Sequence, residues 1–248
     1  MLLSPMWFWT CQASIVGLSV EFQTVTPNHD FELATHGVLE AMRQAGVKGI
    51  AFSSSQTVCG DPTAAKVPED YGPMVPISLY GASKLAAEAL ITAYSHTFEM
   101  QGWVFRFANV IGERSNHGVI YDFINKLKKD PKTLEILGDG AQSKSYLMAQ
   151  DVVDAIIFGV DRAREGFNLY NIGTDDWISV TRIAEIVAEE CGLEDVEFRF
   201  TGGKRGWKGD VPRIMLETAK MKRLGWKPKW SSEQAVRAAT KLLVKELW

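Results

Sequence analysis

Residues 78–90 read SLYGASKLAAEAL. The run predicts the first turns of a helix, in which Tyr80 and Lys84 stand four positions apart and share one face. An ammonium beside a phenol favours its ionised form, so the pair can transfer protons although the pKa of free tyrosine is about 10.

Helices and strands alternate on both sides of this stretch. Residues 30–45 have helical periodicity that stops at Gly46, a C-cap signal. The helix that carries Tyr80 is expected to run to about Gly102. The predicted strands are VKGIAFSSS (47–55) and WVFRFANVIG (103–112). Strand, helix and strand in this order predict a parallel sheet with right-handed crossovers.

The second half of the chain contains shorter elements. The predicted helices cover 119–129, 151–163, 180–191 and 232–247, and the extended pieces are TLEILG, FNLYNIG and VEFRFTGG. Ser231 and Gln234 have the spacing of a capping box at the start of the last helix. We expect a partial nucleotide-binding domain over 1–112. A smaller α/β lobe over 113–248 would bind the substrate, with some segments returning to the first domain.

The composition is that of an ordinary globular chain. Of its 248 residues 46% are hydrophobic and 23% are charged, and a net charge of -3 gives no reason to expect nucleic acid or an anionic membrane as partner. Cys11, Cys59 and Cys191 are too widely spaced for a metal site, which favours a reducing cytoplasm. The first twenty residues are apolar, and the first Lys or Arg of the chain is Arg43. A targeting segment would begin with positive charge, so a buried strand is expected there instead.

A serine-rich segment precedes the Tyr80 helix in the sequence. Ser55 ends the predicted strand 47–55, and Tyr80 follows 25 positions later. Ligands of open α/β sheets lie at the carboxyl ends of strands, so both side chains are expected to face one crevice. A serine hydroxyl beside a tyrosine phenol can hold a substrate hydroxyl in line for deprotonation.

Several motifs together resemble the extended short-chain dehydrogenases/reductases, and among them the NAD-dependent nucleotide-sugar epimerases/dehydratases of the UDP-glucose 4-epimerase type. The matching segments are SSSQTVCGD, YGASK, RFANVIGERSNHGVIYDFINKL, GDGAQSKSYLMAQDVVDA, TGGKRGWKGDVPRI and LGWKPKW. They follow one another in the family's order from about Asp30 to Trp248. The resemblance implies an α/β fold, with a Rossmann-like parallel sheet that lacks its N-terminal part and a smaller C-terminal substrate lobe.

The resemblance also implies a role for single residues. Tyr80 would be the catalytic base, Lys84 would hold the nicotinamide ribose of NAD, and Ser55 would orient the sugar hydroxyl, with Ser53 near the cofactor. The other candidate substrate contacts are Asn109, Lys144 and Arg205 for the phosphates of a UDP-sugar and Asp210 for the nucleoside ribose. The family's chemistry removes a hydride from a sugar carbon, turns the keto sugar and returns the hydride. A homodimer is also implied.

The chain departs from the family pattern at several positions. Cys59 stands where tyrosine is usual, Lys144 where arginine is common, and Met148 where histidine is usual. The common R-x-G-D is W-K-G-D here, with Arg205 further upstream, so Lys144, Arg205 and Lys208 are candidates for the phosphate contacts. Arg and Lys are not equivalent in such a contact, because only Arg binds a phosphate in a bidentate manner.

The glycine-rich loop of the family is not found at its usual place. The only G-x-x-G-x-x-G consists of Gly203, Gly206 and Gly209, and DVPRI follows it instead of a helix. On the family pattern, about 60 residues that form two βαβ units would precede residue 1. From this we expect weak NAD binding and little epimerase activity in the chain of 248 residues, and both to be regained in a version extended upstream.

Three interpretations stay open at this point. The chain is an enzyme of the epimerase/dehydratase family, a nucleotide-sugar-binding module that has lost catalysis, or a fragment without function. The sequence does not determine the sugar, the nucleotide, or the choice among epimerisation, dehydration and reduction.

Overall fold

The computed structural model describes residues 7–10, 25–64, 66–206 and 210–248, with side chains described from residue 34 onward. The chain divides into two compact units. The first unit comprises 1–107, 154–172 and 217–226, and the second comprises 108–153, 173–216 and 227–248. Two later segments of the chain thus belong to the first unit.

A parallel sheet of four strands forms the centre of the first unit. Its strands are β1 (Trp7–Thr10), β2 (Gly49–Ser55), β3 (Gln101–Phe107) and β8 (Phe167–Ile172). They lie in the order β1-β2-β3-β8, and all of the pairs are parallel, as the alternation of helix and strand predicts. Ser55 pairs with Phe107 and Phe107 with Ile172, so three strands end together at the carboxyl edge where Ser55 lies.

Helices cover this sheet. The helices of the first unit are α1 (Val25–Gln44), α2 (Leu79–Phe98), most of α4 (Ala149–Arg162) and α6 (Ala219–Leu224), with a 3-10 helix over Gln56–Cys59. Apolar side chains of α1 and α2, such as Leu39 and Ile91, pack on Ile50 and Val104 of the sheet and are buried. Gly159 of α4 approaches the ring of Phe105 so closely that a Cβ there would lie 2.7 Å from it.

Short strands and three complete helices make up most of the described part of the second unit. The strands are β4 (Asn109–Ile111), β5 (Thr133–Ile136), β6 (Ser143–Lys144), β7 (Tyr146–Met148), β9 (Ile178–Ser179), β10 (Glu197–Phe200) and β11 (Arg213–Ile214). The helices are α3 (Val119–Lys129), α5 (Val180–Glu190) and α7 (Ser232–Leu247). β4 pairs with β7, β5 with β10, and β6 with both β9 and β11. The apolar faces of the three helices share one core that includes Phe123, Ile183 and Val236.

The observed elements differ from the sequence prediction at their ends. The predicted strand 103–112 is two strands, β3 and β4, separated at Ala108. α2 ends at Phe98 instead of Gly102, because Glu99 adopts a left-handed conformation with φ 53°. The capping box at Ser231 and Gln234 is confirmed. Among the described residues, no helix is both long enough and apolar enough to cross a membrane.

Candidate functional site

Ser55 stands where β2 passes into the 3-10 helix 56–59. It is the last residue of β2 and the N-cap of that helix. Its Oγ accepts hydrogen bonds from the backbone N–H of Thr57 at 3.2 Å and from Thr57 Oγ1 at 3.0 Å. N-capping satisfies a donor that the short helix would otherwise leave unpaired.

Tyr80 and Lys84 lie on the first two turns of α2. Ser78 caps this helix, since its Oγ accepts from the N–H of Gly81 at 3.1 Å. Lys84 is buried, and its Nζ donates to the backbone carbonyl of Ser53 at 2.9 Å. The same Nζ lies 5.7 Å from the centre of the Tyr80 ring, so the pair predicted from the spacing is in contact.

The start of α2 packs directly against the 3-10 helix. A Cβ on Gly81 would lie 2.6 Å from the Thr57 carbonyl oxygen and 3.1 Å from the Cβ of Pro76. Only glycine permits this approach. As a result, Thr57, two residues after Ser55, lies directly against Gly81, the residue after Tyr80. Cys59 ends the 3-10 helix, and burial raises the pKa of its thiol to about 11. Cys59 is thus a neutral, buried thiol at neutral pH.

A buried ion pair, which sequence reasoning missed, lies beneath these residues. Arg106 of β3 and Glu88 of α2 form a bidentate pair with a shortest contact of 2.7 Å, and Ser54 Oγ donates to Glu88 Oε1 at 2.5 Å. Arg106 also donates to the carbonyl of Glu69. The signal in the sequence is an arginine inside the apolar strand WVFRF, because a buried charge requires a partner.

A small cavity adjoins Lys84. It has a volume of about 30 Å³ and is lined by Ala34, Thr35, Val38, Ile50, Phe52, Ser53 and Lys84. This volume is enough to hold a water molecule and by itself identifies no larger ligand. The fit of this region to a dinucleotide therefore depends on the donor set, which is the phenol of Tyr80 and the ammonium of Lys84. Both groups suit the hydroxyls of a ribose.

Three of the predicted substrate residues meet in the second unit. Lys144 Nζ contacts Asp210 Oδ1 at 2.5 Å, and the N–H of Gly206 donates to Asp210 Oδ2 at 3.1 Å. Arg205 donates to the backbone carbonyl of Asp210. Asp210 is buried, so the ammonium and the amide compensate its charge inside the chain. Lys208 lies outside the described residues.

Asn109, the fourth of these residues, begins β4. Its Nδ2 donates to the carbonyl of Ser145 at 3.1 Å, as does its backbone N–H at 3.2 Å. Ser145 lies between Lys144 of β6 and Tyr146 of β7. The pKa of the buried Tyr146 phenol is raised by burial and by the charge of Asp210, which keeps it neutral.

A cluster of three buried hydroxyls, also missed by sequence reasoning, includes Ser145 and fixes its position. Thr174 Oγ1 lies 2.6 Å from Ser145 Oγ and 2.7 Å from Ser232 Oγ. The backbone N–H of Thr174 donates to Ser145 Oγ, and that of Tyr146 donates to Ser232 Oγ. We call Ser145, Thr174 and Ser232 the hydroxyl cluster. It ties the strand that follows Lys144 to the start of α7.

The described residues thus contain two groups of candidate side chains. Ser53, Ser55, Tyr80 and Lys84 belong to the first unit, and Asn109, Lys144, Arg205 and Asp210 belong to the second. No group of three His, Cys, Asp or Glu side chains in the described parts of the chain could hold a metal ion.

A comparison with protein families matches residues 13–173 to the NAD dependent epimerase/dehydratase family. This range includes the serine segment and the Tyr80 helix. It covers more than half of the chain, and the match is therefore to the family and not to one motif.

Individual proteins give the same result. A protein of Methanocaldococcus jannaschii that is assigned to the UDP-glucose 4-epimerases is 32% identical over 210 residues, which are 83% of this chain and 66% of that protein. The chain spans roughly half to two thirds of the length of such curated relatives.

Two crystal structures have the same fold. The crystal structure of a UDP-galactose 4-epimerase matches with a TM-score of 0.88 and 36% sequence identity. The match covers 98% of this chain and 78% of the epimerase chain. The crystal structure of the UDP-glucose 4-epimerase of Thermotoga maritima with UDP-glucose has a TM-score of 0.83 and 27% identity, again over 98% and 78%.

Proposed function

Because the chain belongs to the NAD-dependent epimerase/dehydratase family, as its motifs predict, we propose that it acts as a nucleotide-sugar 4-epimerase with NAD as cofactor and a UDP-sugar as substrate. The observation that carries the proposal is the position of Lys84, whose ammonium is fixed at the Ser53 carbonyl and faces the ring of Tyr80. This arrangement suits a phenol that takes a proton from a sugar hydroxyl.

In this proposal each side chain of the first unit has one task. Tyr80 takes the proton of the sugar hydroxyl at its phenol oxygen and later returns it. Lys84 stabilises the phenolate electrostatically and binds the ribose, while Ser55 orients the sugar oxygen. The nicotinamide, when bound, would supply the chemistry of accepting a hydride and giving it back.

The second unit is proposed to bind the nucleotide. Asn109, Lys144 and Arg205 carry amide and cationic donors that suit a diphosphate. Asp210 offers a carboxylate that suits the hydroxyls of the nucleoside ribose. Residues 1–112, apart from Asn109, would thus bind the cofactor, and Asn109 with 113–248 the nucleotide sugar.

Product analysis tests the activity. UDP-glucose is incubated with a high concentration of the chain and excess NAD, so that the low turnover expected from the sequence is measurable, and formation of UDP-galactose is followed by NMR. We expect Tyr80→Phe to abolish turnover and Tyr94→Phe, on the same helix, to retain it. Turnover that survives Tyr80→Phe would refute the assigned base. UDP binding without any turnover would favour a binding module.

Assembly and cellular location are part of the same proposal. We expect a homodimer, to be checked by analytical ultracentrifugation, and a cytoplasmic enzyme, to be checked by cell fractionation. The described cysteines, Cys59 and Cys191, are free and buried, which fits a reducing compartment.

A further inference from the structure

The Ser55 hydroxyl receives two hydrogen bonds from a single residue. Thr57 donates to it through the backbone N–H at 3.2 Å and through Oγ1 at 3.0 Å. A serine hydroxyl has two acceptor lone pairs and one O–H donor. Both acceptor positions of Ser55 Oγ are therefore filled from inside the chain, and its proton has to point away from Thr57.

Thr57 is itself held firmly. Its carbonyl accepts from the N–H of Gly60 at 3.3 Å and lies against Gly81, where a Cβ would come within 2.6 Å. Threonine is also stiff at χ1, because two heavy atoms branch from its Cβ. The donor to Ser55 consequently has little freedom to turn away.

We propose that Thr57 is a positioning residue that fixes the Ser55 hydroxyl as a hydrogen-bond donor toward the substrate oxygen. Its catalytic consequence rests on the proposed function. During oxidation the proton of the sugar hydroxyl would pass to Tyr80, while the nicotinamide, when bound, would supply the chemistry that accepts the hydride of the sugar carbon. The sugar oxygen gains negative charge before the carbonyl is complete, and a donor at that oxygen stabilises it.

The direction of the hydrogen bond matters for the choice of base. A Ser55 hydroxyl that could accept would compete with Tyr80 for the sugar proton. With both lone pairs filled by Thr57, Ser55 can only donate, so Tyr80 is left as the acceptor. Thr57 thereby separates the roles of two neighbouring hydroxyl groups.

Kinetics of paired variants test this inference. Thr57→Val removes the Oγ1 donor at constant shape, and we expect kcat to fall about tenfold, the effect of one hydrogen bond, with KM for UDP-glucose nearly unchanged. Thr57→Ser keeps the hydroxyl and should restore kcat to within about twofold. In a Ser55→Ala background, Thr57→Val should change nothing further, because Thr57 acts through Ser55. An equal loss in both backgrounds would overturn the inference.

Amide hydrogen exchange tests the hydrogen bond between the Thr57 amide and Ser55 without relying on enzyme activity. In Ser55→Ala, the Thr57 amide loses its acceptor and should exchange about tenfold faster by NMR, while the Gly60 amide, which donates to a backbone carbonyl, should keep its rate. An unchanged Thr57 rate would overturn the inference whether or not the chain turns over UDP-glucose. Absence of turnover in the unmutated chain would refute only the proposed function.

Discussion

Lys84 shows how a single charged side chain is accommodated near the proposed reaction centre. It is only 3% exposed, and a buried ammonium is unstable without compensation. The Ser53 carbonyl accepts a hydrogen bond from Nζ, and the rings of Phe52 and Tyr80 lie 5.0 and 5.7 Å from Nζ. Ring faces attract cations at this distance, so the backbone of Ser53 and two aromatic rings together stabilise the charge.

Cys59 leads to a prediction about pH. Its pKa is raised from 9.0 to about 11 because burial disfavours the thiolate. The unfolded chain therefore loses the thiol proton at lower pH than the folded chain. The stabilising contribution is present below pH 9 and is lost as the pH rises toward 11. Denaturant titration gives the free energy of unfolding of the unmutated chain and of Cys59→Ala. The difference between these two free energies should shrink by about 2 kcal/mol over this interval.

The same prediction can fail in a clear way. A constant difference between the two chains from pH 8 to pH 11 would show that the thiol titrates normally. At pH 8 the folded chain should also resist alkylation at Cys59, as measured by peptide mass spectrometry, whereas the denatured chain should react.

At the scale of elements, the helices and strands with a strong pattern follow from the sequence. The parallel strands β2 and β3 and helices such as α3, α5 and α7 were predictable, because each has a clear apolar period or a cap. The break at Ala108 was not, because the apolar run WVFRFANVI continues across it. The helix α6 has only six residues, too few for a period to be recognised.

The ion pair between α2 and β3 gives a stability prediction. Glu88 and Arg106 have side chains that are 6% and 5% exposed, and removing one charge leaves the other buried without a partner. Glu88→Gln should lower the free energy of unfolding by about 3 kcal/mol in denaturant titration. Glu40→Gln breaks the exposed pair with Arg43 and should have a far smaller effect. Equal effects of the two substitutions would contradict the buried pair.

The contact between α2 and the 3-10 helix gives another prediction. Gly81→Ala introduces a Cβ 2.6 Å from the Thr57 carbonyl, so one of the two elements must shift. We expect a loss of about 1–3 kcal/mol of stability together with reduced turnover. Gly37→Ala in α1, where nothing lies within 4 Å, should instead stabilise the chain by about 0.5–1 kcal/mol. A neutral Gly81→Ala would show that the approach is looser than described.

At the scale of the whole molecule, the sequence indicates the candidate residues but not what supports them. Tyr80, Lys84 and Ser55 are found through local spacing and motif order. The partners Glu88 and Arg106 depend on how a helix sits on a sheet, and the hydroxyl cluster joins residues as distant as Ser145 and Ser232. Contacts of this kind leave no periodic trace in the sequence.

The two units should respond separately to substitution. Asp210→Asn and Asn109→Ala should each weaken UDP binding by about tenfold in calorimetry, since each removes or misplaces a polar contact. Tyr80→Phe, in the first unit, should bind UDP as the unmutated chain does. The exposed Asp161→Asn serves as a control for lost charge. Unchanged affinity in both Asp210→Asn and Asn109→Ala would contradict the proposed nucleotide site.

The interleaved path of the chain has a consequence for biosynthesis. The first unit takes β8 from residues 167–172 and α6 from residues 219–224, so its sheet lacks an edge strand while the ribosome is making residues 108–153, the first segment of the second unit. At translation rates of about 5–20 residues per second, β3 waits on the order of several seconds for its neighbour β8. During that interval the nascent chain presents an unpaired strand, and holdase chaperones that cover such edges should associate with it then rather than after release.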